Sequence, residues 1–137
     1  MSDLSLSEAF AHYGAKLVNR QWAVSSIAED GALVISCWAH LFRKVDTVLR
    51  YEDKLSRWQG NAAGNNLFKQ HIVDAINNDR LVRLVIATAE DPDTIDSGNE
   101  ASTVKKTFHI KPNMVGRIKL FDGDKLIIDF QRKVPGQ

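Results

Sequence analysis

The sequence predicts an α+β fold: a single domain with two helices and a mainly antiparallel sheet of about six strands, in the order α-β-β-β-α-β-β-β. Three observations predict it. Apolar residues recur at helical spacing in only two stretches, strand-like runs come in consecutive groups between them, and the strand-helix alternation of a doubly wound sheet is absent. The 137 residues, 44% hydrophobic and 26% charged, fit one ordinary folded domain and lie far from a disordered composition. A chain of this length buries about two-thirds of its unfolded surface, enough to fold without a metal or a disulfide. A curled or barrel-like sheet is a form this order allows. The two groups of strands each follow a helix, a pattern of duplication that the residues themselves do not repeat.

Ser5-Leu6-Ser7-Glu8 has capping-box spacing, in which each side chain satisfies the other's free backbone amide. Leu6, Phe10, Tyr13 and Leu17 follow at helical steps, so the first helix should run from Leu6 to Val18. Gln21 to Ala28 and Ala32 to Phe42 read as strands joined at Asp30-Gly31, a dipeptide that tolerates the positive φ of a tight turn. A two-residue turn sets Val24 opposite Cys37 and Ala23 opposite Trp38. One face then carries Trp22, Val24, Leu33, Ile35 and Cys37; the other carries Ile27, Val34 and Trp38 with Ser25, Ser36 and His40.

In Arg43 to Trp58, Val45, Thr47, Leu49 and Tyr51 alternate, and β-branched and aromatic residues favour a strand through Tyr51. A weak helix through Val45, Val48, Glu52 and Leu55 is the alternative. Gly60 to Asn66 is a break, after which Asn65 or Asn66 can cap a second helix with the stripe Phe68, Ile72, Ala75 and Ile76. Asn77-Asn78 closes it. Leu81 to Thr88 is a strand with Val82, Leu84 and Ile86 on one face. Thr103 to Ile110, Met114 to Phe121 and Lys125 to Arg132 complete the set, with Pro112-Asn113 as a turn. Placing Leu120 opposite Leu126, Ile118 opposite Ile128 and Gly116 opposite Phe130 aligns the apolar residues of the last hairpin. That register implies a three-residue loop, Asp122-Gly123-Asp124, and sets Arg117 across from Asp129.

The net charge of +1 conceals an asymmetry: Met1 to Val48 sums to −1, Leu49 to Thr103 to −3, and Val104 to Gln137 to +5. The loop from Glu90 to Glu100 holds five acids and no base. Such polarity steers anionic partners. The most site-like stretch joins Arg50, Lys54, Arg57 and Trp58 to a Gly/Asn-rich turn and a helix start bearing Asn65 and Lys69. Backbone amides at a helix start favour phosphate. Lys105 and Lys106 open a second basic stretch that continues through His109, Lys111, Arg117 and Lys119, with its charges divided between strand faces. Trp38, His40, Ser25 and Ser36 form a candidate pocket in which a tryptophan beside small polar groups could stack on a planar ligand. Each has a structural counterpart: a solvated charged face, an asparagine-capped helix, and a tryptophan packed beneath a helix.

Other chemistries find little. A lone Cys37 excludes an internal disulfide and an all-cysteine metal site, and on a strand it points away from His40. The run Asp91 to Gly98 has Ile95 where a calcium loop needs a ligand. No P-loop, G-x-G-x-x-G or G-x-S-x-G motif occurs, so neither cofactor nor metal is expected. No run approaches the ~18 apolar residues of a membrane span, and no basic-then-apolar leader opens the chain. A cytoplasmic, non-enzymatic module binding nucleic acid or a nucleic-acid-handling protein is the expectation. The alternatives are a protein-interaction or inhibitor module, homodimeric and using its acidic loop and three tryptophans, or a small hydrolase or transferase with His40 or His71 as base.

Overall fold

A computed structural model describes residues 5–17, 24–57, 62–89 and 106–132. In chain order the elements are α1 (Leu6–His12), β1 (Ser25–Ile27), β2 (Leu33–Trp38), β3 (Phe42–Val45), β4 (Val48–Lys54), α2 (Ala62–Asn77), β5 (Val82–Ala89), β6 (Lys106–Ile110), β7 (Met114–Phe121) and β8 (Lys125–Arg132). The α+β architecture is as expected; among the described residues there are eight strands where about six were expected, and the sheet does not close into a barrel. Strands run in the order β1-β2-β5-β7-β8-β4-β3, and β6 pairs with β5. All pairings are antiparallel except β2 with β5.

Local chemistry explains the extra strand before α2. Asp46 adopts a φ of 53° in a two-residue turn, which folds Phe42–Val45 back on Val48–Tyr51. The alternation through Tyr51 was therefore strand-like because it belonged to a hairpin. Beyond α2, β6 pairs with the far half of β5, from Val85 with Ile110 to Ala89 with Lys106, whereas β7 meets β5 only where Val82 faces Gly116. Lys111-Pro112-Asn113 interrupts this edge, and proline has no amide to give a ladder.

The first hairpin is slipped by one residue from the expected register. Ser25 faces Ile35, Ser26 faces Val34 and Ile27 faces Leu33. The loop holds three residues, Glu29-Asp30-Gly31: Ala28 N donates to Ala32 O at 2.8 Å, and Gly31 takes the left-handed conformation with a φ of 91°. A one-residue slip exchanges faces, so Ser25 and Ile27 join Leu33, Ile35 and Cys37. The strand also ends early, because Ala39–Leu41 forms a 3-10 turn that removes His40 from β2. Trp22 and Ala23 lie outside the described residues.

Helix α2 starts at Ala62, so Asn65 and Asn66 stand in its first turns and neither caps it. At its other end Asp79, with a φ of 50°, takes the left-handed position expected of Asn77 or Asn78. In the last hairpin Gly116 faces Phe130, Arg117 faces Asp129 and Ile118 faces Ile128. A bulge at Lys119 then shifts the register, pairing Leu120 with Ile127 and Phe121 with Leu126. Leu120 is consequently 43% exposed instead of sharing the buried face with Leu126.

Among the described residues, helices pack on both faces of the sheet over only part of its area. On one face α2 buries Phe68, Ile72 and Ala75 against Leu33, Ile35, Leu84, Tyr51, Leu126, Ile128 and Phe130. On the other face α1 packs Ala9 and Phe10 against Ala28, Val34 and Val85, with Phe108 and Ile110 at the margin. That second cluster covers β2, β5 and β6, with Ala28 just beyond β1.

Candidate nucleic-acid interface

Strand alternation places every second residue of β4 and β8 on the face away from α2. Tyr51 and Asp53 are buried while Arg50, Glu52 and Lys54 turn outward; Leu126, Ile128 and Phe130 are buried while Lys125, Ile127 and Asp129 turn outward. Among the described residues no helix covers this half of the outer face. Register links its side chains into transverse rows. Arg117 faces Asp129, Asp129 faces Arg50 and Arg50 faces Arg43, crossing β7, β8, β4 and β3. Farther along, Lys54 faces Lys125. Adjacent strands lie about 4.8 Å apart, so the longer row spans about 14 Å.

Like charges directly opposite each other on a sheet destabilise it, and this face holds two such pairs, Arg43 with Arg50 and Lys54 with Lys125. Two carboxylates relieve the first. Arg50 donates to Asp129 with both arms, Nε to Oδ1 at 2.7 Å and Nη2 to Oδ2 at 3.0 Å, a bidentate geometry stronger than a single contact. That hydrogen bonding holds the Asp129 carboxyl below its ordinary range and raises the Arg50 guanidinium, with the charge of Lys119 acting on Asp129 in the same sense. Arg43 pairs with Glu52. At the far end Arg117 donates to the carbonyl of Asp79 at 3.1 Å and pairs with its carboxylate. Among the described residues, the second pair of cations, Lys54 and Lys125, has no carboxylate between its members in this register; the charge of Lys125 acts on Asp122 in the adjoining loop. The described residues of this half-face include no aromatic side chain.

Of the basic residues singled out in sequence, the fold brings Arg50 and Lys54 together with Arg117 and Lys119. Arg43 and Lys125 join them and were not selected; finding them requires knowing that β4 lies between β3 and β8. Lys69 and Asn65 do not join. They belong to α2, on the opposite side of the sheet, where Asn65 Nδ2 donates to Leu55 O at 2.8 Å and ties the helix start to the end of β4. Trp58, Lys105 and the side chains of Arg57 and Lys106 lie outside the described residues, as does the acidic loop from Glu90 to Glu100.

The candidate pocket is divided by the sheet. Trp38 and Ser36 share the α1 face, but Trp38 is only 8% exposed, packed with Ala87, Leu41 and Phe108. It stands in a row with Ala87 of β5 and Phe108 of β6, with Leu41 of the 3-10 turn packed against it. His40 is exposed, its ring centroid 6.4 Å from that of Trp38. Ser25 is on the other side, its Oγ 2.7 Å from His71 Nδ1. Burial pushes the His71 imidazole below its ordinary pKa, partly offset by Asp74. Ser25 and His71 thus have the spacing of a hydroxyl-imidazole pair, yet at 1% exposure Ser25 is closed to a substrate. Burial, with the Asp53 charge, likewise raises the Cys37 thiol well above its ordinary range, leaving it an inert core group.

Among the described residues, no three His, Cys, Asp or Glu side chains gather as a metal site, and no helix is long and apolar enough to cross a membrane. No family model, curated protein or solved structure matches the chain.

Proposed function

We propose that the protein is a small non-enzymatic module that binds nucleic acid through its phosphates, using the half of the outer sheet face that no described helix covers. The observation that carries this reading is the like-charged cross-strand contact of Lys54 with Lys125, beside a row in which Arg43 and Arg50 are paired with Glu52 and Asp129 and to which Arg117 and Lys119 add their charge. A polyanion laid over this face removes a repulsion that the sheet otherwise carries, and releases its own counterions in doing so. With no described aromatic available for base stacking, contacts are to the backbone and largely independent of sequence. A cytoplasmic location, where a lone thiol stays reduced, goes with this reading.

The test is fluorescence anisotropy with labelled duplex DNA, single-stranded DNA and RNA over a series of salt concentrations. Binding is expected at low salt, with log K falling against log salt with a slope of about −3 to −5. Reversing charge at the second row with Lys54→Glu and Lys125→Glu should weaken binding by at least about tenfold. No binding at low salt, or binding indifferent to salt, overturns the reading.

Self-association is a second reading. It rests on Val73 and Ile76, one helical step apart on α2 and 46% and 47% exposed. A dimer using them would dissociate on Val73→Lys in sedimentation velocity, whereas a monomer at all concentrations removes this reading.

A further inference from the structure

We propose that Asp129 is a built-in competitor for the phosphates: a carboxylate at the centre of the cationic row that limits how tightly the face takes a polyanion. This rests on the nucleic-acid reading above and assigns one residue the setting of its affinity. Asp129 lies in register between Arg117 on β7 and Arg50 on β4. It engages both Nε and Nη2 of Arg50, the edge with which a guanidinium grips two phosphate oxygens. Lys119 adds its charge from the bulge. Two cations, Arg50 and Lys119, thus act on one small anion, while Arg117, next to it in register, turns its guanidinium to Asp79; a phosphate would otherwise take the place of that anion.

Burial distinguishes Asp129 from the other carboxylate of the face. The Asp129 side chain is 10% exposed and that of Arg50 26%, whereas the Arg43–Glu52 pair is 62% and 31% exposed. Solvent screens the Glu52 charge at the rim, but the charge of Asp129 acts in a less polar environment and at the middle of the row. A phosphate that reaches Arg50 must therefore displace Asp129 from the fork or accept its repulsion.

Asparagine at this position keeps the shape and a carbonyl acceptor for Arg50 while removing the charge. In the anisotropy titration, Asp129→Asn should bind duplex DNA about fivefold more tightly than the wild type near physiological salt. The salt slope should steepen by about 0.9, the value for one further phosphate contact. Asp129→Ser, which also removes the charge, should shift binding in the same direction. A second measurement uses the unaltered protein: in NMR the Arg50 Nε–H resonance should move as duplex DNA is added, because the Asp129 contact opens. Weaker or unchanged binding by the folded variants, or an unmoved Arg50 resonance in a saturated wild-type complex, overturns the role of Asp129 while leaving the nucleic-acid reading intact. If neither wild type nor variant binds any polyanion, the nucleic-acid reading itself fails.

Discussion

Gly116 stands where no other residue fits. A Cβ built there would lie 2.5 Å from Cδ1 and 2.7 Å from Cε1 of Phe130, and 3.0 Å from the carbonyl of Asp129. The ring of Phe130 lies over the glycine and is fully buried beneath α2. Gly116→Ala should therefore cost about 1–3 kcal/mol in urea unfolding, the usual result of overpacking. Phe130→Leu in the same chain should recover part of the loss, and a neutral Gly116→Ala would show that the ring moves freely. His71 makes a prediction of different sign and origin. Burial lowers its pKa in the folded protein below the ordinary 6.5, so under acid conditions the unfolded chain binds a proton that the folded one resists. Its contribution to stability is complete above 6.5 and declines as the pH falls from there to the folded-state pKa, by at most about 1.4 kcal/mol per pH unit. His71→Asn, which does not titrate, should flatten that part of the stability curve; an unchanged slope would assign it to other groups. Glycine against Phe130 was legible from side-chain size alone, since only that register aligned the large apolar residues. The Ser25–His71 contact was not, because the slip of the first hairpin had assigned Ser25 to the opposite face.

At the level of elements, helix α1 is seven residues long, too short to persist alone in water. Two devices hold it. At its start Ser5 Oγ accepts from Glu8 N at 3.1 Å and Glu8 Oε1 accepts from Ser5 N at 3.0 Å, the reciprocal cap visible in the sequence. Beyond its end the Tyr13 hydroxyl donates to Leu84 O and accepts from Lys111 N, each at 3.0 Å, under the guanidinium of Arg83 4.8 Å from the ring centroid. The cap is local and the anchor is tertiary, so their removal should differ. Ser5→Ala should cost about 1 kcal/mol. Tyr13→Phe deprives Lys111 N of its acceptor and should cost about 1–3 kcal/mol, with the loss of amide protection centred on Lys111 in hydrogen exchange. No loss from either substitution would argue that the helix is held by Phe10 alone. The two hairpins show where element-level reading holds. The β7–β8 register was correct from Gly116 to Ile118, where alternation is strict and one face is wholly apolar, and failed beyond Lys119, where a bulge adds a residue. The β1–β2 register failed because both faces are partly apolar, leaving only the turn to decide it. Asp30-Gly31 is compatible with both a two- and a three-residue loop.

At the scale of the whole molecule, what the sequence concealed is non-local. Arg50 and Asp129 lie 79 positions apart, and nothing in either segment announces that β4 lies beside β8. The basic row could therefore be suspected from composition but not assembled. The same holds for the parallel pairing of β2 with β5, which encloses β3, β4 and α2 in a single crossover. This order makes β5 an interior strand with cover on both faces: β2 lies along one edge, β6 and the start of β7 along the other, α2 covers Val82 and Leu84, and the α1 cluster covers Val85. Opening β5 means separating both helical layers, so its amides should exchange only through global unfolding, alongside those of β2. β3, by contrast, has Arg43 and Lys44 exposed and, among the described residues, pairs on one edge only, with β4. Its amides should exchange through local fraying, orders of magnitude faster, in hydrogen-exchange mass spectrometry. Nucleic acid bound across the row from Arg117 to Arg43 would join β3 to β8, so exchange in β3 should slow on binding while that in β5 stays unchanged. Protection gained at α1 or α2 instead would mean that the ligand uses the covered faces, and that the basic row is no more than a solvated ion-pair ladder.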